Sequence, residues 1–395
     1  MTDSIIDSIL SARYLRNGET TFEDVCRRVA AALGNNEAET AEYFEEMESL
    51  RFLPNSPTLM NAGTDINQLS ACFTLRVGDS LPEIFDALKW GALIHKSGGG
   101  TGYNFSNIRP KDAPVLSTEG VASGPVSFMN IFNEATEVIK QGGRRRGANM
   151  GILNVWHPDI LEFIKSKTEE GGKVKNFNIS VMMNDAFMAC VEKGEMEKIW
   201  MTHPYSNEEI TVGAIWNAVI DGIWKNGEPG VLFYDEINRY NPPTPPQLGD
   251  IDTTNPCGEQ PLLHFESCVL GSINLSKFVE DGKLNEEKLT KTARIGVRFL
   301  DAVIDNNSFP PIPQIKEATE KTRKTGLGLM GVHDALLLLG IPYDSEEGRA
   351  FCEHVMELVT TTAVDESHHL AEERGVFPPA WEGSTWVNIQ YGMPP

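Results

Sequence analysis

The stretch Asn255-Pro256-Cys257-Gly258-Glu259 places a thiol two residues from an amide on one side and two residues from a carboxylate on the other. Pro256 stiffens the backbone and Gly258 lets it turn, so we predict that the three polar side chains face one side of an extended loop. A sulfur in that setting can act as a nucleophile, a metal ligand or a hydrogen-atom abstractor, and the carboxylate can take a proton. A single Cys-Gly-Glu is more typical of a buried thiol in a turn, so the surrounding sequence decides.

The composition bounds the class of protein. With 395 residues, 41% of them hydrophobic, the chain is long enough for one large α/β domain with appendages. The 56 acidic residues outnumber the 34 Lys and Arg residues, and the formal net charge of −22 argues against a nucleic-acid partner. The sequence contains no apolar run of about 18 residues, and its first residues lack the basic and apolar regions of a signal peptide. We therefore expect a cytoplasmic protein without membrane association.

The cysteines are scattered along the chain. No two of them form a C-x-x-C pair, so the sequence predicts neither a zinc ribbon nor a disulfide framework, and any disulfide is expected to be catalytic. His368 and His369 are adjacent on a predicted helix and face different ways, which makes them a poor metal site. No metal site is predicted. The cysteines are Cys26, Cys72, Cys190, Cys257, Cys268 and Cys352.

Hydrophobic periodicity predicts an α/β chain behind a helical N-terminal cap of residues 1–50. Beyond residue 50, strand-like runs alternate with helices across mostly short loops. The exception is the long segment 239–258, which is expected to be functional and delivers the chain to Cys257. The predicted strands are 69–75, 150–155, 176–183, 231–234, 267–275 and 326–330, and the predicted helices are 126–140, 158–167, 184–193, 212–224, 286–305, 331–339 and 345–373.

Two stretches in the first part of the chain carry more specific predictions. Residues 53–63 are too rich in Pro and Asn for regular structure and are predicted to be irregular. Asp79 and Ser80 are predicted to cap a helix that has Pro82 just inside it. The apolar stripe of that helix is predicted to be buried and comprises Leu81, Ile84, Phe85, Leu88 and Ala92.

Two glycine-rich loops are candidates for anion binding. Residues 97–102 would let backbone N–H groups approach a ligand, although a plain helix-to-strand turn explains them as well. They do not match G-x-G-x-x-G between a strand and a helix, so a dinucleotide-binding fold is not predicted. Residues 141–149 hold three consecutive arginines inside an acidic protein, which suits phosphate or base recognition, or else a solvated helix end.

Taken together, six ordered motifs resemble the catalytic subunit of ribonucleotide reductase, most closely its adenosylcobalamin-dependent class II enzymes. The resemblance extends from about residue 50 to the end of the sequence. Six matches in the same order are specific, whereas each alone is weak. The motifs are Phe52 to Gly63, Ser70 to Cys72, His95 to Gly102, Gln141 to Gly151, Asn255 to Glu259 and Cys268 to Leu275.

The resemblance implies a ten-stranded α/β barrel, built from two antiparallel halves of five parallel strands, with a central finger loop. Cys257 would carry the thiyl radical that removes the 3′ hydrogen of a ribonucleotide. Glu259 would take the 3′-hydroxyl proton as the 2′-hydroxyl leaves as water, and Asn255 would hold the ribose. Cys72 and Cys268 would supply two electrons and close to a disulfide at each turnover.

The resemblance also implies the ligand contacts. The substrate would touch Ser56, Ala71, Cys72 and Gly100, together with the whole stretch Asn255, Pro256, Cys257, Gly258 and Glu259. An allosteric deoxynucleoside triphosphate would bind near Asp79, Ser80 and Arg109, usually at a homodimer interface. The loop with Gln141, Arg145 and Arg146 would relay which effector is bound to the choice of base. A thioredoxin-like protein or another dithiol would regenerate the enzyme.

Some parts of the family pattern are missing from the sequence. The expected phosphate-binding turn, the last barrel strands and the C-terminal cysteine pair would all lie beyond Pro395. We therefore expect residues 51–395 to form an incomplete catalytic barrel that needs a completing C-terminal polypeptide. The choice between diphosphate and triphosphate substrates stays open.

Three alternatives remain at this point. The chain could be a class I large subunit that receives its radical from a metal-containing partner. It could also be a non-catalytic, effector-binding half of a split reductase. A third possibility is an unrelated thiol-dependent oxidoreductase or acyl-transfer enzyme in which His264 assists Cys257, and a low pKa of the Cys257 thiol would support that assignment.

Overall fold

A computed structural model describes residues 3–16, 18–115, 119–141, 145–168, 174–240 and 248–376. The side chains of Gln141, Arg145 and Arg146 lie outside this description, as do residues 142–144 and the Pro-rich stretch 241–247. The end of the chain, residues 377–395, is also outside it. The predicted arginine loop therefore falls largely on positions that the structure does not describe.

Helical periodicity produces helices at nearly all of the predicted positions. The α-helices are α1 Asp3–Ile9, α2 Phe22–Leu33, α3 Glu37–Glu48, α4 Ser56–Asn61, α5 Leu81–Lys96, α6 Pro125–Val138, α7 Ile160–Lys165, α8 Asp185–Glu192, α9 Val212–Asn226, α10 Tyr234–Tyr240, α11 Glu286–Asp305, α12 Pro313–Thr322, α13 Val332–Leu339 and α14 Glu346–Arg374. A π-helical turn spans Leu10–Tyr14 and a 3₁₀ turn spans Leu275–Phe278. The sequence did not predict α4, α10 or α12.

The predicted strands are confirmed with shifts of one to three residues at their ends. The strands are β1 Phe52–Pro54, β2 Cys72–Arg76, β3 Gly100–Asn104, β4 Pro114–Val115, β5 Gly120–Val121, β6 Lys140–Gln141, β7 Arg145–Arg146, β8 Asn149–Asn154, β9 Phe177–Met183, β10 Ile199–Thr202, β11 Glu209–Thr211, β12 Gly230–Phe233, β13 Thr253–Thr254, β14 Pro261–Leu262, β15 Ser267–Asn274, β16 Val279–Glu280, β17 Lys283–Leu284 and β18 Thr325–Met330. The glycine-rich stretch after α5 is a turn at Gly98, where φ is +91°, followed by β3.

The described chain falls into two compact units. We call residues 72–267 the parallel unit, and the residues up to 71 together with those from 268 the helical unit. The predicted domain boundary at residue 50 stays a prediction. Of the helices in the described ranges, none is long and apolar enough to cross a membrane.

The parallel unit is built on five parallel strands in the order β2-β3-β8-β9-β12. Every crossover between them contains at least one helix, which parallel strands require because their ends lie at opposite edges of the sheet. Strands β2, β3, β8 and β9 are largely buried because helices and loops cover them, whereas β12 at the end of this order is only partly buried. Five parallel strands are what the resemblance implies for one half of a barrel.

The helical unit has a continuous apolar core formed by α2, α3, α11 and α14 around three strands. Strand β1 is antiparallel to β15, and β15 is parallel to β18. Phe299 of α11 makes edge-to-face contacts with Tyr43 at 5.0 Å and Phe52 at 5.2 Å between ring centroids. Such aromatic pairs stabilise the fold beyond the effect of the apolar area that they bury, so this cluster fixes α3 and β1 on α11.

The prediction of irregular structure over residues 53–63 is wrong. Phe52–Pro54 forms β1, and Ser56–Asn61 forms α4. The Asn55 side chain caps α4 by accepting the Thr58 N–H at 3.0 Å, and Pro57 occupies the first turn. Asn and Pro are favoured at these positions of a helix, so the residues that suggested irregular structure are the start signal of a short helix.

The cap of α5 is confirmed, but its predicted buried stripe is wrong in part. Ser80 and Glu83 form a capping box, with Pro82 in the first turn. Leu81 and Phe85 are 60% and 48% exposed, respectively. The packed face instead uses small residues, because a Cβ at Gly91 would lie only 2.1 Å from the Tyr103 hydroxyl. The buried positions are Ile84, Ala87, Gly91, Ile94 and His95.

Candidate active site

The stretch Asn255–Glu259 forms the tip of a β-hairpin in the parallel unit. Strands β13 and β14 pair Thr253 with Leu262 and Thr254 with Pro261. Above this stem, the Asn255 N–H donates to the Gln260 carbonyl at 3.1 Å. Gly258 has a φ of +86°, a backbone conformation that favours glycine. We call residues 253–262 the finger loop, and its tip is the predicted loop with a turn at Gly258.

The finger loop lies directly on β3, and two glycines make this approach possible. A Cβ on Gly102 would lie 1.8 Å from the Thr254 carbonyl oxygen, and a Cβ on Gly100 would lie 2.7 Å from Cγ of Pro256. Neither distance is sterically allowed without displacement of the loop. The glycine run that the sequence left open as an anion loop or a turn therefore supplies the floor of the finger loop.

Asn255 is the centre of the polar contacts at the tip, and it is fully buried. Its Nδ2 donates to Oε1 of Glu259 at 2.7 Å and lies 3.7 Å from Sγ of Cys72, while its Oδ1 accepts the Gln260 N–H at 3.0 Å. The Cys257 thiol, by contrast, is exposed. The structure thus brings together three predicted catalytic residues, Asn255, Glu259 and Cys72, beside an accessible sulfur.

Cys72 and Gly100 begin neighbouring parallel strands and are register partners. Cys72 is buried, with 7% of its surface exposed. Because Pro256 packs on Gly100 and Asn255 contacts Cys72, both strand beginnings meet the tip of the finger loop. Predicted substrate contacts from three separate sequence motifs therefore share one end of the parallel sheet.

Three further predicted site residues lie in the helical unit. Cys268 is buried near the start of β15, and its carbonyl accepts the Ala71 N–H at 3.1 Å. Ser56 is the first residue of α4, and its Oγ lies 3.0 Å from the Tyr14 hydroxyl. The pairing of Cys268 with Cys72 and the contact of Ser56 with substrate stay predictions.

The predicted effector residues are also close together. The Arg109 N–H and Nε each donate to the Asp79 carboxylate at 2.8 Å, and this ion pair raises the pKa of Arg109. The Ser80 hydroxyl is engaged with the Glu83 carboxylate. A cavity of about 240 Å³ adjoins Arg109 and is lined by residues 106–110 and 156–158. An anion arriving here would have to exchange with the bonds that these side chains already make.

A buried polar chain connects α5 to the strand beneath the finger loop. His95 Nε2 lies 3.0 Å from Oγ1 of Thr101, which donates to Oδ1 of Asn149 at 2.7 Å. Asn149 Nδ2 in turn donates to Oγ1 of Thr136 at 2.9 Å. This order requires His95 to donate from Nε2, and burial lowers the pKa of His95 to about 4. A neutral histidine between a helix and a strand was not recognised in the sequence.

Two asparagines that hold the finger loop were also missed. Asn178 Nδ2 donates to the Pro256 carbonyl and Asn104 Nδ2 donates to the Asp252 carbonyl, each at 2.7 Å. The signal in the sequence was an asparagine inside a strand, a residue type that is depleted in strands unless its side chain has a specific partner.

The position of His264 bears on the acyl-transfer alternative. His264 Nε2 lies 3.4 Å from Oδ1 of Asp252, so both residues flank the stem of the finger loop, across the β13–β14 pairs from Cys257. Burial lowers the pKa of His264. This location does not favour His264 as the base for a Cys257 nucleophile. In the described part of the chain, no group of three or more His, Cys, Asp or Glu side chains is placed to hold a metal ion.

Comparison with known proteins decides the family. The sequence profile of the ribonucleotide reductase barrel domain matches residues 70–392, and that of the ribonucleotide reductase all-alpha domain matches residues 7–67. The chain belongs to the ribonucleotide reductase large-subunit family. The resemblance stated from the sequence is thereby confirmed, as is the barrel fold class.

Individual members of the ribonucleotide reductase family give the same result. A vitamin B12-dependent ribonucleoside-diphosphate reductase of Thermoplasma acidophilum is 54% identical over 373 residues, which cover 93% of this chain and 48% of that protein. The protein of the same name from Mycobacterium tuberculosis is 43% identical over 388 residues, which cover 94% of this chain and 55% of that protein. The chain thus spans about half the length of these curated relatives.

A solved structure supports the fold. The alpha subunit of the Actinobacillus ureae class Id ribonucleotide reductase superposes with a TM-score of 0.77 at 23% identity, covering 95% of this chain and 68% of that one. At this identity the likeness concerns the fold alone. It agrees with the reductase barrel as the scaffold of the finger loop.

Proposed function

We propose that this chain carries the radical-bearing part of an adenosylcobalamin-dependent ribonucleotide reductase. One observation supports the chemistry most: an exposed Cys257 on the finger loop, with Asn255 bonded to Glu259 and in contact with Cys72. The names of the relatives support the cofactor and favour a ribonucleoside diphosphate as the substrate. Reduction of this substrate would supply precursors for DNA synthesis.

The proposed reaction begins at Cys257. As a thiyl radical, its sulfur takes the 3′ hydrogen atom of the ribose, so an S–H bond forms as the C–H bond breaks. The Glu259 carboxylate accepts the 3′-hydroxyl proton and returns a proton to the 2′-hydroxyl, which leaves as water. Asn255 orients Glu259 through the 2.7 Å hydrogen bond that the structure already contains.

Two electrons and two protons then have to reach the substrate. Cys72 and Cys268 supply them, and their thiols close to a disulfide. Afterwards Cys257 returns the hydrogen atom to the 3′ carbon. The contact of Asn255 Nδ2 with Cys72 Sγ at 3.7 Å supports the part that Cys72 plays beside the finger loop, and its pairing with Cys268 rests on the family resemblance. A dithiol reductant, either thioredoxin-like or a small molecule, reduces the disulfide between turnovers.

The exposure of the three predicted catalytic cysteines fits adenosylcobalamin as the cofactor. Radical generation by adenosylcobalamin needs a thiol that a large cofactor can approach, and Cys257 is exposed whereas Cys72 and Cys268 are buried. When bound, adenosylcobalamin would supply the one-electron oxidising equivalent that turns the Cys257 thiol into a thiyl radical. The finger loop would then hold that sulfur towards the substrate.

Regulation is proposed at the other end of the parallel unit. A deoxynucleoside triphosphate would bind at the start of α5, where Asp79, Ser80 and Arg109 lie together beside a cavity. The loop with Gln141, Arg145 and Arg146 would relay the identity of the effector to the choice of base. A homodimer and a cytoplasmic location are expected from the same resemblance.

The test is an anaerobic assay with a ribonucleoside diphosphate, an effector and a dithiol, with and without adenosylcobalamin. It is run on the chain alone and on the chain mixed with a polypeptide that supplies the part of the relatives beyond the matched half. Cobalamin-dependent deoxyribonucleotide supports the proposal. Product only with a metal-containing radical subunit would assign the chain to class I, and no product with either would favour the non-catalytic, effector-binding alternative.

A further inference from the structure

The finger loop around Cys257 is a short hairpin. Its stem has two residue pairs, and its tip adds the Asn255 N–H to the Gln260 carbonyl and the Gly258 N–H to the Asn255 carbonyl, both at 3.1 Å. A hairpin this short is not stable in isolation. The position of Cys257 therefore depends on what the surrounding strands contribute.

Strand β9 contributes one side chain at the tip. Within it, Phe177 and Ile179 are each 1% exposed, whereas Asn178 between them is exposed. Because side chains alternate along a strand, Asn178 lies on the opposite face from these two residues. Its Nδ2 donates to the Pro256 carbonyl at 2.7 Å. A polar residue in the middle of this strand thus has a specific partner, the peptide that joins Pro256 to Cys257.

That hydrogen bond restrains one backbone torsion, the ψ angle of Pro256. The ring of Pro256 already restricts its φ to about −65°. When the carbonyl of Pro256 is also held, its ψ is set, and with it the plane of the peptide that carries the Cys257 nitrogen. Packing of Pro256 on Gly100 holds the ring itself. With the ring and the peptide plane held, only the side-chain torsions of Cys257 remain to set the direction of its thiol.

A second asparagine acts at the other end of the loop. Asn104 Nδ2 donates to the Asp252 carbonyl at 2.7 Å, and Asn104 Oδ1 accepts the Ser106 N–H at 2.9 Å. This bond lies just before β13, five residues before Cys257 in the sequence. Asn104 therefore fixes the stem, whereas Asn178 acts at the peptide adjacent to the thiol.

We propose that Asn178 is a positioning residue for Cys257 that holds the Pro256–Cys257 peptide in the orientation needed for hydrogen-atom transfer. Its importance for catalysis rests on the proposed function, but the positioning itself does not. Asn178 binds the peptide that precedes Cys257, so its loss should change how the finger tip is held and leave the thiol chemically intact.

The test uses Asn178→Asp, which keeps the shape and removes the donor, and Asn178→Ala. With this hydrogen bond removed, we expect amide hydrogen exchange at residues 255 and 257–260 to rise about fivefold. Exchange in α8 and the thermal midpoint should change little. Asn217→Ala, a substitution at an exposed position of α9 in the same unit, is the control and should leave the tip unchanged.

The reductase assay separates positioning from binding. In both Asn178 variants kcat should fall while KM stays near the wild-type value, because the peptide that Asn178 holds leads to the reacting sulfur. Unchanged exchange at residues 255–260 in both variants would overturn the proposal, whatever the activity. If the wild-type protein shows no reductase activity, the proposed function fails, and the exchange data still decide the positioning role. Should Asn178→Ala unfold, the isosteric Asn178→Asp carries the test.

Discussion

The finger loop and the effector segment around Asp79 and Arg109 lie in the same parallel unit but use their polar groups differently. In the finger loop, the surrounding strands bind main-chain carbonyls, at Pro256 and Asp252, and the Cys257 thiol is exposed. In the effector segment, the side chains expected to bind a ligand are bonded to each other or to the helix cap.

The two regions can therefore respond to a ligand in different ways. A loop held by its backbone presents its reactive side chain without a conformational change, which is what preorganised catalysis requires. A segment whose charged groups already pair must exchange partners when an anion arrives, and such an exchange can alter the start of α5. The first arrangement suits chemistry, and the second suits regulation.

The largest effect is expected for Cys257→Ser. An O–H bond is too strong for reversible hydrogen transfer with the ribose, so deoxyribonucleotide formation should fall to the background of the assay. The thermal midpoint should stay within a degree or so, since substitutions at exposed sites are usually close to neutral. Turnover by this variant would remove Cys257 from the catalytic role.

Glu259→Gln should come next. It preserves the shape of the side chain but removes the base, so we expect kcat to fall by about 10²–10⁴-fold. The amide can still bond to Asn255, and the fold should be retained. Steady-state kinetics with a ribonucleoside diphosphate measure the effect, and a loss of less than threefold would show that another group takes the proton.

The pH dependence of stability tests the connection between the two regions through His95. Because the pKa of folded His95 is about 4, below its ordinary 6.5, the unfolded chain binds more protons between these values. Stability should therefore fall as the pH falls from 6.5 towards 4, by up to about 3 kcal/mol from this group.

The matched variant is His95→Gln, whose Nε2 can still donate to Thr101 but does not titrate. Urea unfolding midpoints of both proteins between pH 7 and pH 5 give the comparison. His157 and His264 also have lowered pKa values, so the difference between the two proteins, and not the total slope, is the relevant quantity. Equal slopes would mean that His95 does not stay neutral in the folded protein.

The smallest effect on stability is expected for Arg109→Ala. Its ion pair with Asp79 is solvent-exposed, and such pairs contribute little to the free energy of unfolding. Effector-dependent stimulation should nevertheless be lost, with basal turnover retained. Titration with each deoxynucleoside triphosphate measures this separation. An unchanged response to every effector would move the effector site away from Arg109.

Much of the fold could be predicted because periodicity and caps are local signals. The strand at 176–183 and the helix at 286–305 were placed from the spacing of their apolar residues. The short elements β1 and α4 were missed because Asn55 and Pro57 signal a helix start as well as irregular structure. The buried stripe of α5 was partly wrong because Ala87 and Gly91 pack closely while Leu81 and Phe85 remain exposed.

The candidate site was predictable where residue type alone carries chemistry. Cys257, Glu259 and Asn255 stood out in one short stretch, and the structure places Cys72 against Asn255. The supporting residues were not predictable, because Asn178 and Asn104 become meaningful only when β9 and β3 bring them to the finger loop. An asparagine inside a strand signals that its side chain has a partner, but no local pattern identifies a partner that lies far away in the sequence.

The proposal that Cys257 carries the thiyl radical is tested most directly by locating the radical. The protein is mixed anaerobically with adenosylcobalamin and an effector, frozen within milliseconds and examined by electron paramagnetic resonance, with ordinary and with β-deuterated cysteine. We predict a signal that narrows on deuteration, persists in Cys72→Ser and is absent in Cys257→Ser. A signal of the same shape and intensity in Cys257→Ser would contradict the assignment of the radical to the finger loop.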